Sequence, residues 1–273
     1  LTAPAVKRAA LELGLLVFQW SSLRKPEALA TLDALKANLF LVAAYGLYIP
    51  DEVVALPPKG CLNLHPSLLP RHRGASPVAS AILAGDVETG VTVLFVTSEM
   101  DAGAIVAQAR TPIGADETAG ALTARLGEWG AGVYVDAVTR WLRGEVRPWA
   151  QDASQATWSE RLTREDGKLD WRKEATALAR QVRAFDPWPG THTTWKGEPV
   201  SILAAAALPD WWGEARLGTV LRIPQGIAVV TSAGALLLKS VQVAGKRAVA
   251  ALDFANGARG FVGAVLGDPA EGG

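Results

Sequence analysis

In the first half of the chain, stretches with the apolar spacing of a helix alternate with short apolar runs. Apolar residues that recur every three or four positions predict amphipathic helices, and short apolar runs between them are typical of buried strands. Gly14 and Gly85 mark the ends of two of the helices. Helices are predicted over residues 3–13, 26–36, 77–85 and 117–141, and strands over residues 15–19, 39–44, 62–64, 91–96 and 104–109.

This order predicts an open, mostly parallel α/β sheet, with the run at 39–44 buried on both faces. Ligands bind such sheets beyond the carboxyl ends of their strands. The regular pattern fades between Arg143 and Asp170, and a helix is predicted over residues 173–184. Short β-type runs separated by glycines then predict a small barrel or sandwich. These runs cover residues 199–204, 218–223, 227–231 and 235–243.

We therefore divide the chain into an α/β domain at residues 1–148, a linker at 149–170 and a second domain at 171–273. The formal net charge is zero, with 27 basic and 27 acidic residues, so composition alone indicates no nucleic-acid partner. The single cysteine, Cys61, excludes an internal disulfide and fits a reducing compartment. No apolar run approaches the roughly 18 residues of a membrane span. Ten tryptophans are many for this length, and packing without a shared role is their simplest interpretation.

The candidate chemistry lies at the ends of the predicted strands. Asn63 and His65 are two residues apart and share one face of a strand, while Leu62 and Leu64 face a core. Asp101 follows the next long strand in an Asp-Ala-Gly turn. A protonated His65 and the Asn63 amide can donate to a carbonyl oxygen that becomes an oxyanion. Asp101 can hold His65 cationic or relay a proton from an attacking amine.

Simpler interpretations of these residues stay open. His65 could be a structural hydrogen-bonding group, Asp101 a turn residue, and Asn63 a partner of backbone groups; their coincidence at strand ends favours a site. No Ser or Cys has the setting of an activated nucleophile, which favours direct transfer over a covalent enzyme intermediate. A metal is not expected, because His65, His72 and Asp101 match no standard zinc spacing.

The stretch Asn-Leu-His-Pro-Ser-Leu-Leu-Pro that starts at Asn63, with the later Asp-Ala-Gly turn, resembles the catalytic core of the folate-dependent formyltransferases. The resemblance implies a Rossmann-like formyltransferase fold, with Asn63, His65 and Asp101 as the catalytic set. It also implies 10-formyltetrahydrofolate as the formyl donor. The residues that it implies on the folate side are Ser67, Leu68, Leu69, Pro70, Tyr45, Leu47 and Asp116.

The second half, from Trp158 to Pro189 and again at Val-Ala-Gly-Lys-Arg-Ala, is similar to the C-terminal domain of the methionyl-tRNA formyltransferases. This similarity implies a small OB-like β-barrel domain and formyl transfer to the α-amine of initiator methionyl-tRNA. It further implies a monomeric, cytoplasmic enzyme of the bacterial type, with an organellar location as the open alternative, and with no metal and no membrane partner. The candidate tRNA-binding residues are Arg73, Arg164, Lys168, Arg172, Lys246 and Arg247.

Two departures accompany the resemblance. His72 stands where the family commonly has an aromatic residue. Family members also carry two strands and a basic loop before the segment at which this chain begins, so we expect a chain that is incomplete at its N-terminus. Three alternatives stay open: a transferase acting on a small amine such as a ribonucleotide or amino sugar, an inactive tRNA-binding fragment, and a hydrolase that passes the formyl group to water.

Overall fold

The computed structural model describes residues 3–267, and its first half is a four-stranded sheet with the strand order β1-β2-β4-β5. The strands are β1 (Phe40–Ala43), β2 (Cys61–His65), β3 (Arg73–Gly74, outside the sheet), β4 (Glu88–Phe95) and β5 (Ile105–Pro112). The helices are α1 (Ala5–Glu12), α2 (Pro26–Ala34), α3 (Asp51–Val54), α4 (Pro77–Ala84) and α5 (Ala119–Leu142). The predicted helices and all but one of the predicted strands of this half are therefore present.

The α/β class is confirmed, and within the four-stranded sheet of the described residues only β1 and β2 pair in parallel. Strand β4 runs antiparallel to both β2 and β5. Apolar runs identify buried strands but carry no information on direction, which explains the difference. The carboxyl ends of β2 and β4 therefore lie at opposite ends of the strands in this sheet. Asp101 lies in the loop that connects β4 to β5, and this loop brings it to the site.

The alternation predicted along β2 is confirmed by its packing. Leu62 is fully buried and Leu64 is half-buried, and both contact the apolar residues under α5. The Tyr134 hydroxyl on α5 donates to the Leu62 carbonyl at 2.7 Å, and a Cβ on Gly130 would lie only 3.0 Å from Val91, so this glycine lets α5 approach the sheet. Burial of Leu62 stabilises the fold by about 1.5–3 kcal/mol, and the partial burial of Leu64 adds less, so these two side chains fix the register of β2.

Two expectations for the N-terminal region are wrong. Residues 15–19 do not form a strand, because no neighbouring strand within residues 3–267 pairs with them, and Leu16 is 78% exposed. Among residues 3–267, strand β1 is an edge strand rather than one buried on both faces, and Leu41 is 55% exposed. The apolar composition of both stretches produced these predictions, although burial depends on neighbours that the local sequence does not specify.

The linker has little regular secondary structure, but it is tied to the first domain. Strand β6 (Trp158–Ser159) pairs in parallel with β3, and Trp149 forms a β-bridge with Ile105 at the start of β5. Residues 149–170 thereby run back across the first domain before the chain enters the second.

The second domain is one antiparallel sheet in the order β7-β8-β11-β10-β9, with β12 paired to β11. All four predicted strands of this half are present. The end strands β7 and β9 are not paired with each other within residues 3–267, so the curled sheet is an open form of the predicted barrel. Its elements are α6 (Ala175–Ala184), β7 (His192–Trp195), β8 (Glu198–Leu208), β9 (Val220–Ile223), β10 (Gly226–Val230), β11 (Ala235–Val243), β12 (Val249–Ala250) and α7 (Ala251–Gly257).

Helix α6 joins the two halves. Leu178 and Val182 belong to the core of the second domain, whereas Ala184 and Phe185 pack with the apolar residues of α4 and α5. The Arg183 guanidinium also donates to the Glu117 carbonyl at 3.0 Å. None of the helices within residues 3–267 is long and apolar enough to cross a membrane.

Candidate active site

His65 and Asp101 meet in the interior beside the end of β2. Nδ1 of His65 lies 3.5 Å from Oδ2 of Asp101, and their side chains are 5% and 14% exposed. Nε2 of His65 lies 2.9 Å from the carbonyl oxygen of His72. A carbonyl only accepts, so Nε2 must carry a proton, and Nδ1 is the nitrogen whose proton can come and go. The 3.5 Å separation is longer than a strong hydrogen bond, which leaves Nδ1 available to another partner.

The charge state of His65 is set by opposing effects. Burial is the largest and lowers the pKa of His65, whereas Asp101 and the His72 carbonyl raise it and the His72 imidazole lowers it. The net effect lowers the pKa below its ordinary value. Asp101 does favour the cationic form of His65, as expected, but in this arrangement desolvation outweighs the charge pair. A neutral imidazole with a free Nδ1 lone pair accepts a proton before it donates one.

Asn63 lies on the same face of β2 as His65, opposite Leu94 of β4. Its side chain is half-buried, and its amide has no hydrogen-bond partner within residues 3–267. The amide is thus free to donate to a ligand beside His65. Cys61, the next residue on this face, is buried, and burial raises the pKa of its thiol to about 11, as expected of a packing residue rather than a nucleophile.

The loop that carries Asp101 has a demanding backbone. Asp101 itself has φ +52°, a left-handed backbone conformation that residues other than glycine rarely adopt. A Cβ on Gly103 would overlap the carbonyl oxygen of Phe95, so only glycine fits there. Oδ2 of Asp101 accepts from the Gly74 backbone N–H at 2.9 Å. This bond orients the carboxylate toward His65, and the strain shows that surrounding contacts hold the loop in place.

Those contacts come from Arg73 and Gln151. The Gln151 amide donates to the carbonyls of Asp101 and Gly103 at 2.7 and 2.9 Å. The Arg73 guanidinium donates in turn to Oε1 of Gln151 at 2.8 and 3.1 Å, and it pairs with Glu99 at 3.2 Å. Arg73 is only 3% exposed. Its guanidinium is occupied inside the protein, so we remove Arg73 from the candidate tRNA-binding residues.

The Ser67–Pro70 loop divides into two kinds of residue. Ser67 is fully buried and donates through its hydroxyl to the Arg71 carbonyl at 2.7 Å. Leu69 is 4% exposed, packs with Leu94 and Ile105, and has its N–H and carbonyl bonded internally to Thr92 and Gln108. Leu68 and Pro70, by contrast, are half-buried, and together with Leu69 they line a cleft of about 330 Å³. Ser67 is held inside the loop, whereas Leu68 and Pro70 are its more accessible members.

The other folate-side candidates are spread over two loops. Tyr45 and Leu47 follow β1 and are 44% and 38% exposed. Asp116 is exposed on the loop between β5 and α5, beside α6: burial lowers the pKa of Arg183, and the Asp116 carboxylate opposes this effect. Asp116 is thus already engaged electrostatically with the second domain.

The remaining basic candidates are all exposed, but their settings differ. Arg172 donates two hydrogen bonds of 2.8 Å to Asp170, which neutralises its charge. Arg164 lies over the Trp188 ring at 6.0 Å. Lys168 forms a backbone bridge to His192 at the β7 edge, whereas Lys246 and Arg247 lie in the turn between β11 and β12. These cations do not form a single cluster on one element.

Sequence reasoning noted His72 only as a departure from the family and as an unsuitable metal ligand, and it missed Asp86 and Gln151. His72 is 6% exposed with φ +58°, and its imidazole Nε2 lies 2.7 Å from Oδ2 of Asp86. Its carbonyl is the acceptor for His65, so its conformation affects the site directly. The unusual histidine was the only sequence signal; nothing local indicated Asp86 or Gln151. Within residues 3–267 no group of three potential metal ligands is found.

Comparisons with known proteins identify the family of this chain. Residues 3–138 match the formyl transferase family, and residues 161–259 match the formyl transferase C-terminal domain. The chain is 45% identical over 265 residues to the methionyl-tRNA formyltransferase of Roseiflexus castenholzii, covering 97% of this chain and 85% of that protein. It is 44% identical over 268 residues to that of Thiobacillus denitrificans, covering 98% and 86%.

Solved structures share the fold at lower identity. HypX from Aquifex aeolicus in complex with tetrahydrofolic acid aligns with a TM-score of 0.63 at 22% identity, over 90% of this chain and 43% of that one. The sugar 3N-formyl transferase WlaRD aligns with a TM-score of 0.65 at 17% identity, over 89% and 82%. This chain thus spans less than half of HypX and most of WlaRD, and at these identities the likeness concerns the fold.

Proposed function

The chain belongs to the formyl transferase family, and we propose that it transfers a formyl group from 10-formyltetrahydrofolate to the α-amine of initiator methionyl-tRNA. The observation that carries the proposal is the 44–45% identity to methionyl-tRNA formyltransferases along both domains. The second domain favours a tRNA substrate over a small amine, because its match covers residues 161–259 and not only the catalytic fold.

In the proposed reaction the neutral amine attacks the formyl carbon, and the carbonyl electrons move to the oxygen. The unpartnered Asn63 amide donates to this oxyanion; one such donor typically lowers the barrier by about 3–4 kcal/mol. Nδ1 of His65 takes the proton that the attacking nitrogen loses, with Asp101 stabilising the imidazolium at 3.5 Å. The same proton then passes to the folate nitrogen as its bond to the formyl carbon breaks and the carbonyl reforms.

The lowered pKa of His65 suits this order of events. A buried imidazole that is neutral at the start can accept the proton, and the nearby carboxylate prevents the charged form from being too costly. Nε2 keeps its proton and donates it to the His72 carbonyl throughout, which keeps Nδ1 pointed at the reacting atoms.

The residues around the site fit the two substrates. A folate carries a flat, largely apolar ring, and Tyr45, Leu47, Leu68 and Pro70 provide accessible apolar surface for it. Arg164, Lys168, Lys246 and Arg247 are the exposed cations that we assign to tRNA phosphates, each of which would strengthen the salt dependence of binding. Arg172 is a weaker candidate, because Asp170 neutralises it.

His65→Ala tests the proposal. We expect formyl transfer to methionyl-tRNA to fall by about 10²–10⁴-fold, as is typical when a general acid–base group is removed. His192→Ala, a half-buried histidine on β7 of the second domain, is the matched control and should leave the rate unchanged. A loss below about threefold for His65→Ala would contradict its role. Faster formylation of an amino sugar or ribonucleotide than of methionyl-tRNA would contradict the acceptor.

A further inference from the structure

Trp158 is a large exposed aromatic residue directly beside the catalytic loop. It pairs with Arg73 across the β3–β6 ladder, and the next residue of β3, Gly74, donates its N–H to Asp101. Because neighbouring strands lie about 4.8 Å apart, the Trp158 backbone is within about 10 Å of the Asp101 carboxylate. Its side chain is nevertheless 57% exposed.

The backbone on both sides of Trp158 is firmly held. The Thr157 carbonyl and hydroxyl accept from the N–H groups of Arg73 and His72 at 2.9 and 2.8 Å. Ser159 is buried and bonds to the Arg73 carbonyl through its hydroxyl at 2.9 Å. A Cβ on Gly74 would overlap the Ser159 carbonyl oxygen, so the two strands are packed as closely as possible. An exposed indole on so rigid a support is pre-organised to bind a flat ligand.

Trp158 has a buried cation beneath it. The Arg73 guanidinium, which is bonded inside the protein to Gln151 and Glu99, lies 5.8 Å from the Trp158 ring centroid. A separate pair is formed by the exposed Arg164, which lies 6.0 Å from the ring of Trp188. Trp212 is more exposed, at 89%, but makes no ring or cation contact within residues 3–267. Exposed aromatic rings on a rigid support are a usual platform for unpaired nucleic-acid bases.

We propose that the Trp158 indole stacks on the terminal adenine of the aminoacyl-tRNA acceptor end, an inference that rests on the proposed function. In that substrate the amino acid is esterified to the ribose of the last nucleotide, so the adenine is one sugar away from the reacting amine. A platform one strand away from Asp101 is therefore within reach of that base. Stacking anchors the amine for attack and requires no base-specific hydrogen bond.

The first test compares three acceptors: methionyl-tRNA, methionyl-adenosine ester and methionine methyl ester. Trp158→Ala should raise KM about 10-fold for the two acceptors that carry adenine and leave kcat within about twofold. The methyl ester should react unchanged. Trp158→Phe should recover most of the loss, because it keeps an aromatic face, and Trp212→Ala should behave as wild type.

The second test needs no catalysis. The full chain is labelled with 5-fluorotryptophan, and the ¹⁹F resonance of Trp158 is identified as the one that is missing from the spectrum of Trp158→Phe. This resonance should shift when a cytidyl-cytidyl-adenosine trinucleotide is added. Absence of that shift, or an unchanged KM for methionyl-adenosine in Trp158→Ala, would overturn the inference. If the wild-type protein transferred a formyl group to none of the three acceptors, the proposed function would be contradicted. The ¹⁹F titration would still show whether Trp158 binds the trinucleotide.

Discussion

The two flanks of β2 are built differently, although both border the candidate site. On the β4 side, the loop with Asp101, the short strands β3 and β6 and the residue Gln151 form a dense hydrogen-bonded unit. On the β1 side, Leu41 is 55% exposed and Leu16 is 78% exposed, and residues 15–19 have no strand partner within residues 3–267. The acid–base pair depends on the first flank, and Tyr45 and Leu47 belong to the second.

This difference indicates a division of roles. Proton transfer between His65 and Asp101 requires positions fixed to a fraction of an ångström, and dense packing provides them. Contact with a flat apolar ring tolerates adjustment, because the hydrophobic effect is not directional. Substitutions on the β4 side should therefore affect turnover, whereas substitutions on the β1 side should have small effects.

The largest effect is expected from Gly103→Ala. The new methyl group would overlap the Phe95 carbonyl, so the loop would have to shift and carry Asp101 away from His65. A displacement of about 1 Å can cost about 10²-fold in rate, which should be seen in kcat with methionyl-tRNA. Gly127→Ala on α5 is the control, because its Cβ would meet nothing within 4 Å. Equal rates for the two variants would mean that the loop need not be fixed.

Gln151→Leu should have the next largest effect. It removes the donor to the carbonyls of Asp101 and Gly103 and leaves the buried Arg73 without its main acceptor. We expect kcat to fall about 10-fold and the free energy of unfolding to fall by about 2–3 kcal/mol. Gln155→Leu, an exposed residue bonded to Asp152, is the control and should cost about 0.5 kcal/mol or less.

A double-mutant cycle checks the mechanism of this loss. If Arg73 acts through Gln151, adding Arg73→Leu to Gln151→Leu should cost much less than it does in wild type, with a coupling of about 1 kcal/mol or more. Additive costs would show that the two side chains stabilise the loop independently.

Asp86→Asn tests the opposite side of His72. Burial raises the pKa of Asp86, but hydrogen bonds from His72 and Arg71 and the charge of Arg71 outweigh it, so the pKa is lowered. A carboxylate with a lowered folded-state pKa stabilises the protein above its unfolded pKa of about 3.9, and this stability is lost as the pH falls through the folded value. Chemical unfolding should show Asp86→Asn about 1–2 kcal/mol less stable above pH 5, with a smaller gap at pH 3. Asp136→Asn, from an exposed pair on α5, should change stability little at either pH.

Some features of this structure could be predicted from the sequence, and others could not. The alternation at Leu62 and Leu64 predicted β2, because a strand produces a local periodicity in the sequence. The glycines after α1 and α4 predicted the ends of these helices, because a helix end depends on local turn conformation. Strand direction, the edge position of β1 and the contacts of Gln151 did not follow, since each depends on residues distant in sequence. The roles of Asn63, His65 and Asp101 stay predictions from the motif, to which the structure adds the 3.5 Å contact and the lowered pKa of His65.

The smallest effect is expected on the β1 side. Leu41→Thr replaces a side chain that is already 55% exposed with a β-branched residue suited to an edge strand, so the free energy of unfolding should change by about 0.5 kcal/mol or less. Leu62→Ala, on the next strand, removes a fully buried side chain and should cost about 2–5 kcal/mol in the same urea titration. A cost above about 1.5 kcal/mol for Leu41→Thr would mean that this face is covered in solution, and the contrast between the two flanks of β2 would then have to be abandoned.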